Sequence, residues 1–276
     1  MYKRQELHRG TYTTQGRNKR ANRRSEFLLH DAEFLGAWAG LLDPGYAYPR
    51  DEMGRAWELV CLNQFHDIIP GSSIGAVYEE SQRQYAEVAA LGGAARDAAQ
   101  AVVARATGGD VVLVNPTGFA RDDTAFWPGQ LPPGATLVRP DGAPVIVQAV
   151  DGGLLLDAGT LLPYSALPLR VTSDERRVTS SDSPPDSSLV ARHSSLENAY
   201  LRVEFNDAGD IRRIYDKSHG RDVLPPGAVA NQWQAFEDRP TQWDAWDIDI
   251  TYEDRPYPLE PVAAVRVVEH LSLIHI

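Results

Sequence analysis

The stretch of this sequence that is richest in reactive side chains runs from Asn63 to Ser73 and reads Asn-Gln-Phe-His-Asp-Ile-Ile-Pro-Gly-Ser-Ser. It places the imidazole of His66 next to the carboxylate of Asp67, directly before a Pro-Gly pair that interrupts a helix. A neutral imidazole can bind a metal, and the backbone N–H groups at the start of a following helix attract anions. The stretch therefore predicts the wall of a binding site, although a lone histidine at a helix end more often caps the helix or packs in a core.

Spacing alone does not complete a metal site around His66. Zinc takes three or four protein ligands, and five of the other histidines stand at no metal-ligand spacing from one another. The single cysteine, Cys61, excludes a disulfide framework and a cysteine-based zinc cluster. It falls on the apolar stripe of a predicted helix, which favours a role in core packing.

Three amphipathic helices must position the stretch. The apolar periodicity predicts them over roughly Gln15–Leu42, Arg50–Phe65 and Ser73–Arg105, and short links between such helices are typical of a small bundle. Gly92 and Gly93 each weaken the third helix by roughly 1 kcal/mol, so a bend or break is expected there. The apolar stripe expected on the first helix consists of Phe27, Leu28, Phe34, Leu35, Trp38, Leu41 and Leu42.

The pattern changes from helical to strand period near residues 107–110. Short apolar runs separated by turns follow, without intervening helices, and this arrangement favours an antiparallel β-sandwich. The sequence thus predicts a multidomain α+β fold, with a three-helix bundle over residues 27–107 and an antiparallel β-sandwich region over residues 108–276. The clearest strand candidates are Asp110–Asn115, Tyr200–Phe205, Ile211–Tyr215 and Val262–Val268.

Composition limits the classes of protein that fit. The 276 residues carry a formal net charge of −11 and 43% of them are hydrophobic, which is typical of a globular protein. No apolar run reaches the ~18 residues that a membrane-spanning helix needs, and an acidic chain disfavours a dedicated nucleic-acid binder. We therefore expect neither a membrane nor a nucleic acid as partner. Phosphate or nucleic-acid binding by the basic residues of Arg9–Arg24 stays open as an alternative, but a solvated or acid-paired helix face is favoured.

A resemblance to a known family adds what spacing cannot supply. The run Asn63–Ser73 resembles the His-Asp motif of family 38 glycoside hydrolases, the zinc-dependent retaining α-mannosidases. Three further matches follow the family's order over roughly residues 6–269 and fit its cytosolic or bacterial branch best. These matches are His8–Gln15 followed by Asn18–Glu26, then Asn198–Leu224, and last Phe236–Pro240 with Trp243–Ile248.

The resemblance implies a mechanism in which one zinc ion, held by two histidines and two carboxylates, binds hydroxyls of a terminal α-mannose. One carboxylate is the nucleophile and a second carboxyl is the general acid and base. His66 matches a zinc ligand, and Asp67 matches the neighbouring carboxylate that hydrogen-bonds sugar hydroxyls. The nucleophile, the acid/base and the remaining zinc ligands match no residue here, since the family carries them in an N-terminal β/α domain whose tail would be residues 1–26.

Four more residues are candidates for the sugar site on the same basis. Arg9 and Tyr12 lie in the segment that borders the site in the family, and a plain loop contact is an equally good interpretation. Trp243 and Asp244 belong to an aromatic and acidic loop; aromatic faces stack on sugar C–H faces and carboxylates accept hydroxyl protons. A loop that only fixes the β region to the bundle is the favoured alternative for that segment.

The sequence therefore predicts an incomplete α-mannosidase that is inactive as given and acts in the cytoplasm. Residues 1–5 and 271–276 depart from the family pattern and resemble translated adapter sequence, so we expect genuine protein over about Glu6–His270. A second hypothesis, from another class, is a non-catalytic carbohydrate-binding or interaction module made of the bundle and the β region.

Overall fold

The computed structural model of the protein describes residues 8–172 and 195–259. They form two units. The first contains the described residues up to Arg121 with residues 160–170 and 238–253, and the second contains the described parts of residues 122–159, 171–237 and 254–276. The expectations for residues 1–5, for the strand at residues 262–268 and for residues 271–276 lie outside the described residues.

Three long helices dominate the first unit. They are α1 (Gly16–Leu42), α2 (Arg50–Asn63) and α3 (Gly75–Thr107), and a short 3-10 helix at Arg9–Tyr12 precedes them. The predicted helices are confirmed to within two residues at each end. None of the helices in the described ranges has the length and hydropathy that crossing a membrane requires.

The bundle core differs from the expected stripe on α1. Phe27 is 61% exposed and Leu41 is 86% exposed, whereas Leu29 is fully buried. The residues of α1 that face inward are mostly small or polar, so the helices pack closely and the bulky side chains at the stripe's edge stay in solvent. Cys61 is also exposed, which makes its predicted core role wrong. The main core consists of Leu29, Ala32, Met53, Ala56, Leu59, Val60, Tyr85, Val88 and Ala95.

Helix α3 continues through Gly92 and Gly93, so a break at this pair is wrong. Gly92 is buried against α1, and a Cβ atom placed on it would lie 2.8 Å from Cδ2 of Leu29 and 3.1 Å from Cδ2 of Leu28. The missing side chain therefore lets the two helices approach each other. The packing gained by this approach offsets the low helix propensity of glycine.

Strands begin soon after α3 ends, where the sequence predicts the change. The strands within the described residues are β1 (Val111–Asn115), β2 (Ala125–Trp127), β3 (Thr136–Val138), β4 (Ile146–Val150), β5 (Gly153–Asp157), β6 (Ser165–Thr172), β7 (Ser195–Glu197), β8 (Leu201–Phe205), β9 (Ile211–Asp216), β10 (Arg221–Asp222), β11 (Ala235–Phe236) and β12 (Pro256–Tyr257).

In the first unit, β1 pairs antiparallel with β6, with Val111 opposite Leu169 and Asn115 opposite Ser165. Residues alternate between buried and half-buried along β1, as a strand with one covered face requires. Val114 and Ala166 pack on a second small core formed by the C-terminal part of α1 and of α3. This strand pair therefore extends the bundle rather than standing apart from it.

In the second unit, two sheets carry most of the strands. Their strand orders are β2-β5-β4 and β10-β9-β8-β7, and β11 and β12 form a separate pair. The pairs within these sheets are antiparallel. Three consecutive leucines, Leu154 to Leu156, supply the buried part of β5. The helices and antiparallel sheets confirm the α+β class.

The close approach at Gly92 gives a testable prediction. We expect Gly92→Ala to lower the free energy of unfolding by about 1–3 kcal/mol, because the new methyl group meets Leu29, which is fully buried and cannot move aside. Gly93→Ala is the matched control, since its Cβ meets nothing within 4 Å and should stabilise the protein by up to about 1 kcal/mol. Urea unfolding of both variants measures the difference, and equal stabilisation by the two substitutions would contradict the packing role of Gly92.

Candidate functional site

The His66–Asp67 pair lies on a turn between α2 and α3. Nε2 of His66 stands 3.4 Å from Oδ2 of Asp67, and the two side chains are 78% and 62% exposed. The ring of Phe65 lies against the imidazole, with 4.3 Å between the ring centroids. His66 is therefore not a core histidine, and both members of the pair are accessible to a ligand.

The backbone of this turn is held firmly although its side chains are exposed. The Tyr78 hydroxyl donates to the carbonyl of Ile68 at 3.1 Å and accepts from the N–H of Ser73 at 3.0 Å. The Ser73 hydroxyl donates to the carbonyl of Asp67 at 2.5 Å. The turn therefore holds its backbone in place while the side chains of His66 and Asp67 stay exposed.

Lys19 of α1 ties the end of the turn to the segment before α1. Its Nζ donates to the carbonyls of Thr14 at 2.5 Å, Ile69 at 2.9 Å and Pro70 at 3.2 Å. Partial burial lowers the pKa of the Lys19 ammonium below its ordinary value. Lys19 is thus an internal anchor, and it does not belong to the solvated basic face that its neighbours in sequence suggest.

Glycine at position 71 permits a second contact with the same segment. Gly71 has φ of +101°, and a Cβ atom on it would lie 2.6 Å from Cγ2 of Thr14. Both the backbone angle and the space exclude a larger residue without movement. Thr14 is itself fixed, because its N–H and its hydroxyl both donate to the carbonyl of Gly10.

The other end of this segment binds the loop at residues 238–253. The N–H of Gly10 donates to the carbonyl of Trp246 at 2.8 Å, and the N–H of His8 donates to Oδ1 of Asp247 at 3.1 Å. The His8 ring also packs edge-on against the Trp246 ring, at 4.8 Å between centroids. Residues 8–15 therefore join the turn that carries His66 to the loop that carries Trp243 and Asp244.

The backbone is strained at both ends of this joining segment. His8 has φ of 59°, Gln15 has φ of 52°, and Trp243 in the bound loop has φ of 60°. Left-handed conformations of residues other than glycine cost of order 1–3 kcal/mol and cluster at functional sites.

Four predicted residues lie on these joined segments. Arg9 and Tyr12 are in the 3-10 helix, where Tyr12 is 80% exposed. Trp243 is 67% exposed and Asp244 is also exposed. The hydrogen bonds described above between the segments are made by neighbouring residues, and all four candidates lie at the surface. Trp246 and Asp247 hold the 238–253 loop to His8 and Gly10.

A layer of polar side chains under the turn connects the three helices. Nδ2 of Asn63 donates to Oε1 of Gln84 at 2.7 Å. Nε2 of Gln64 donates to Asn22 at 3.0 Å and to Glu26 at 2.9 Å. Asn18 and Ser81, both buried, are hydrogen-bonded to each other across α1 and α3.

The sequence analysis did not identify this polar layer. The pKa of the Tyr85 phenol is raised, mainly because the phenol is buried and to a smaller extent because the Glu26 carboxylate lies nearby. The surroundings of the polar layer at Tyr85 are therefore of low polarity. The polar layer could have been inferred from Asn18 and Ser81, because both stand at helix positions where the periodicity predicts apolar, inward-facing residues. Such inward polar residues need partners and so specify how helices align.

The described residues do not make a complete zinc site. Among them, no group of three or more His, Cys, Asp or Glu side chains is arranged to hold a metal ion. His66 and Asp67 offer at most two donors, whereas zinc takes four ligands. Any metal at this turn must therefore be held mainly by other groups.

Comparison with known families identifies the chain. Residues 6–103 match the model of the alpha mannosidase middle domain, and residues 196–275 match that of the glycosyl hydrolases family 38 C-terminal domain. The fold resembles the crystal structure of an alpha-mannosidase from Enterococcus faecalis V583, with a TM-score of 0.57 and 18% identity over 77% of this chain and 29% of that one. The chain belongs to glycosyl hydrolase family 38.

Two relatives show how much of such a protein the chain covers. Alpha-mannosidase 2C1 of Homo sapiens is 30% identical over 245 residues, which are 88% of this chain and 22% of that protein. Alpha-mannosidase G of Dictyostelium discoideum is 27% identical over 282 residues, which are 91% of this chain and 26% of that protein. The chain thus spans about a fifth to a quarter of the length of these curated relatives.

The contact between Gly71 and Thr14 leads to a second prediction. We expect Gly71→Ala to lower the free energy of unfolding by about 2 kcal/mol or more, because alanine is strained at this backbone angle and meets the threonine methyl group. Urea unfolding measures the loss. Adding Thr14→Ser, which removes the methyl group and keeps the hydroxyl, should recover part of it.

Gly75→Ala is the matched control for that experiment. Its Cβ meets nothing within 4 Å and the residue begins α3, so the substitution should leave stability unchanged or slightly raised. A Gly71→Ala variant as stable as Gly75→Ala would show that the turn does not depend on this contact.

Proposed function

We propose that this chain is part of a zinc-dependent retaining α-mannosidase that hydrolyses terminal non-reducing α-D-mannose residues, with His66 as one of the zinc ligands. The observation that carries the proposal is the exposed His66–Asp67 pair on a firmly held turn, within residues that match the family's middle domain. The proposed domains are the tail of a catalytic β/α domain (1–26), the middle three-helix bundle (27–107) and a β-sandwich region (108–276).

Within this proposal the two side chains of the turn have different roles. The exposed imidazole of His66 can offer the lone pair of a ring nitrogen to a metal. The carboxylate of Asp67 accepts hydrogen bonds from sugar hydroxyls. A zinc ion at such a site would orient the sugar and favour distortion of its ring.

Arg9, Tyr12, Trp243 and Asp244 line the sugar site in the same proposal. Its support is that their segments are joined to each other and to the turn within one unit, through contacts at Gly10 and Thr14. The exposed Tyr12 and Trp243 offer ring faces for sugar C–H groups, and the carboxylate of Asp244 and the guanidinium of Arg9 can bind sugar hydroxyls.

The two catalytic carboxyl groups and the other zinc ligands belong, in this proposal, to the part of the relatives' length that these 276 residues do not cover. Retaining glycosidases use one carboxylate as nucleophile and one carboxyl as acid and base. The proposal also includes a cytoplasmic location, as the resemblance to the cytosolic or bacterial branch implies.

The proposal predicts that the 276-residue chain alone neither turns over an aryl α-mannoside nor binds zinc tightly. Among the described residues the turn offers at most the two donors of His66 and Asp67, too few to hold zinc tightly, and the proposed nucleophile lies elsewhere. Isothermal titration with zinc chloride and a colorimetric assay test the two statements. If the chain alone bound one zinc ion tightly and hydrolysed the aryl α-mannoside, the proposal that most zinc ligands and the nucleophile lie outside these 276 residues would be refuted.

The full-length product of the gene provides the positive test. There, we expect α-mannosidase activity that His66→Ala lowers by more than the roughly 10- to 100-fold typical of losing an outer-shell partner of a metal ligand. His30→Ala is the matched control, because His30 is also exposed and stands 3.1 Å from an adjacent aspartate, Asp31. It should leave activity unchanged.

The same pair of variants separates the proposal from a non-catalytic carbohydrate-binding module. Such a module would retain full sugar binding after His66→Ala and would show no mannosidase activity in the full-length protein. A full-length protein without activity in the presence of zinc would therefore remove the enzyme proposal.

A further inference from the structure

The ammonium group of Lys19 contacts two segments that carry candidate site residues. Its three hydrogen bonds go to the carbonyl of Thr14, next to the 3-10 helix of Arg9 and Tyr12, and to those of Ile69 and Pro70, next to the His66 turn. An ammonium has three donor hydrogens. The three hydrogen bonds match this number, and they are shared between the two segments.

These bonds are of the strong kind for a protein. Hydrogen bonds from a charged donor are roughly twice as strong as those between neutral groups. The carbonyls they satisfy lie in irregular backbone between α2 and α3 and before α1, outside the helical hydrogen-bond ladders. Without the ammonium, these three carbonyls would need water in a partly buried place.

A steric contact holds the same two segments together at their meeting point, which we call the junction. This contact does not depend on the hydrogen bonds of Lys19. The Thr14 methyl group occupies the space that a side chain at position 71 would fill. The ammonium therefore acts on a junction that has one close-packed arrangement, and it supplies the polar bonds that stabilise that arrangement. Arg20, the next residue on α1, is exposed and lies outside this junction.

We propose that Lys19 is a positioning residue of the sugar site: it sets the turn of His66 and Asp67 against the segment of Arg9 and Tyr12. This inference rests on the proposed function of those four residues. Lys19 itself touches neither substrate nor metal, because its donors are all bonded to backbone carbonyls. Its effect on a substrate arises through the placement of Asp67 and Tyr12.

The test compares Lys19→Met with Arg20→Met in the full-length protein. Methionine keeps much of the side-chain length and removes the charge and the donors. We expect KM for an aryl α-mannoside to rise several-fold and kcat/KM to fall about 10- to 100-fold, since small displacements of positioning groups have effects of this size. Arg20→Met should match the wild type in both.

The KM value separates positioning from stability. A lysine that only stabilises the fold would, on removal, lower the amount of folded enzyme and hence the apparent kcat, and it would leave KM unchanged. Hydrogen exchange of the 276-residue chain adds a readout independent of activity. Lys19→Met should speed exchange at the amides of residues 68–73 and leave the middle of α3 at the wild-type rate.

Further outcomes complete the test. If Lys19→Met does not fold, Lys19→Gln retains two amide donors without the charge and should give a KM above the wild-type value. A wild-type KM for a folded Lys19→Met or Lys19→Gln variant would overturn the positioning role. An inactive wild-type full-length protein would instead refute the proposed function, with the exchange result still deciding whether Lys19 holds the turn.

Discussion

The first unit depends on one polar junction, the ammonium of Lys19 bonded to three backbone carbonyls. Irregular segments at the end of a helix bundle have few ladder hydrogen bonds of their own, and a charged donor can satisfy several of their carbonyls at once. The contact of Thr14 with Gly71 leaves this junction little freedom. The exposed side chains of His66 and Asp67 are thereby carried on a backbone that is well fixed.

Two groups of interactions within the helix bundle stabilise the elements that form this junction. An apolar core around Leu29 and Val88 supplies the hydrophobic stabilisation, and the buried Gly92 lets α1 and α3 come close. A polar layer of Asn18, Ser81 and Asn63 with their partners lies nearer the turn. Asn18 pairs with Ser81 and Asn63 pairs with Gln84, and such hydrogen bonds between buried polar groups favour one alignment of the helices.

Much of the fold could be predicted because it follows from local pattern. Helix ends near Leu42, Asn63 and Thr107 were predictable from periodicity, Pro-Gly turns and the change to β-branched runs. The prediction was wrong where burial depends on the neighbouring helix. Phe27 and Leu41 belong to an apolar stripe by spacing, yet the close approach of α3 buries small residues of α1 instead.

The sequence by itself determined the three helices, the antiparallel strands and the reactive pair His66–Asp67, since these depend on residues close together in the chain. Only the tertiary structure decided that residues 8–15 join the His66 turn to the Trp243–Asp247 segment, which follows it by well over a hundred residues in sequence. It also decided that Lys19 is an anchor rather than part of a solvated basic face. Both depend on which backbone carbonyls and N–H groups find a partner across the fold, and because every residue carries such groups, side-chain patterns do not reveal which of them do.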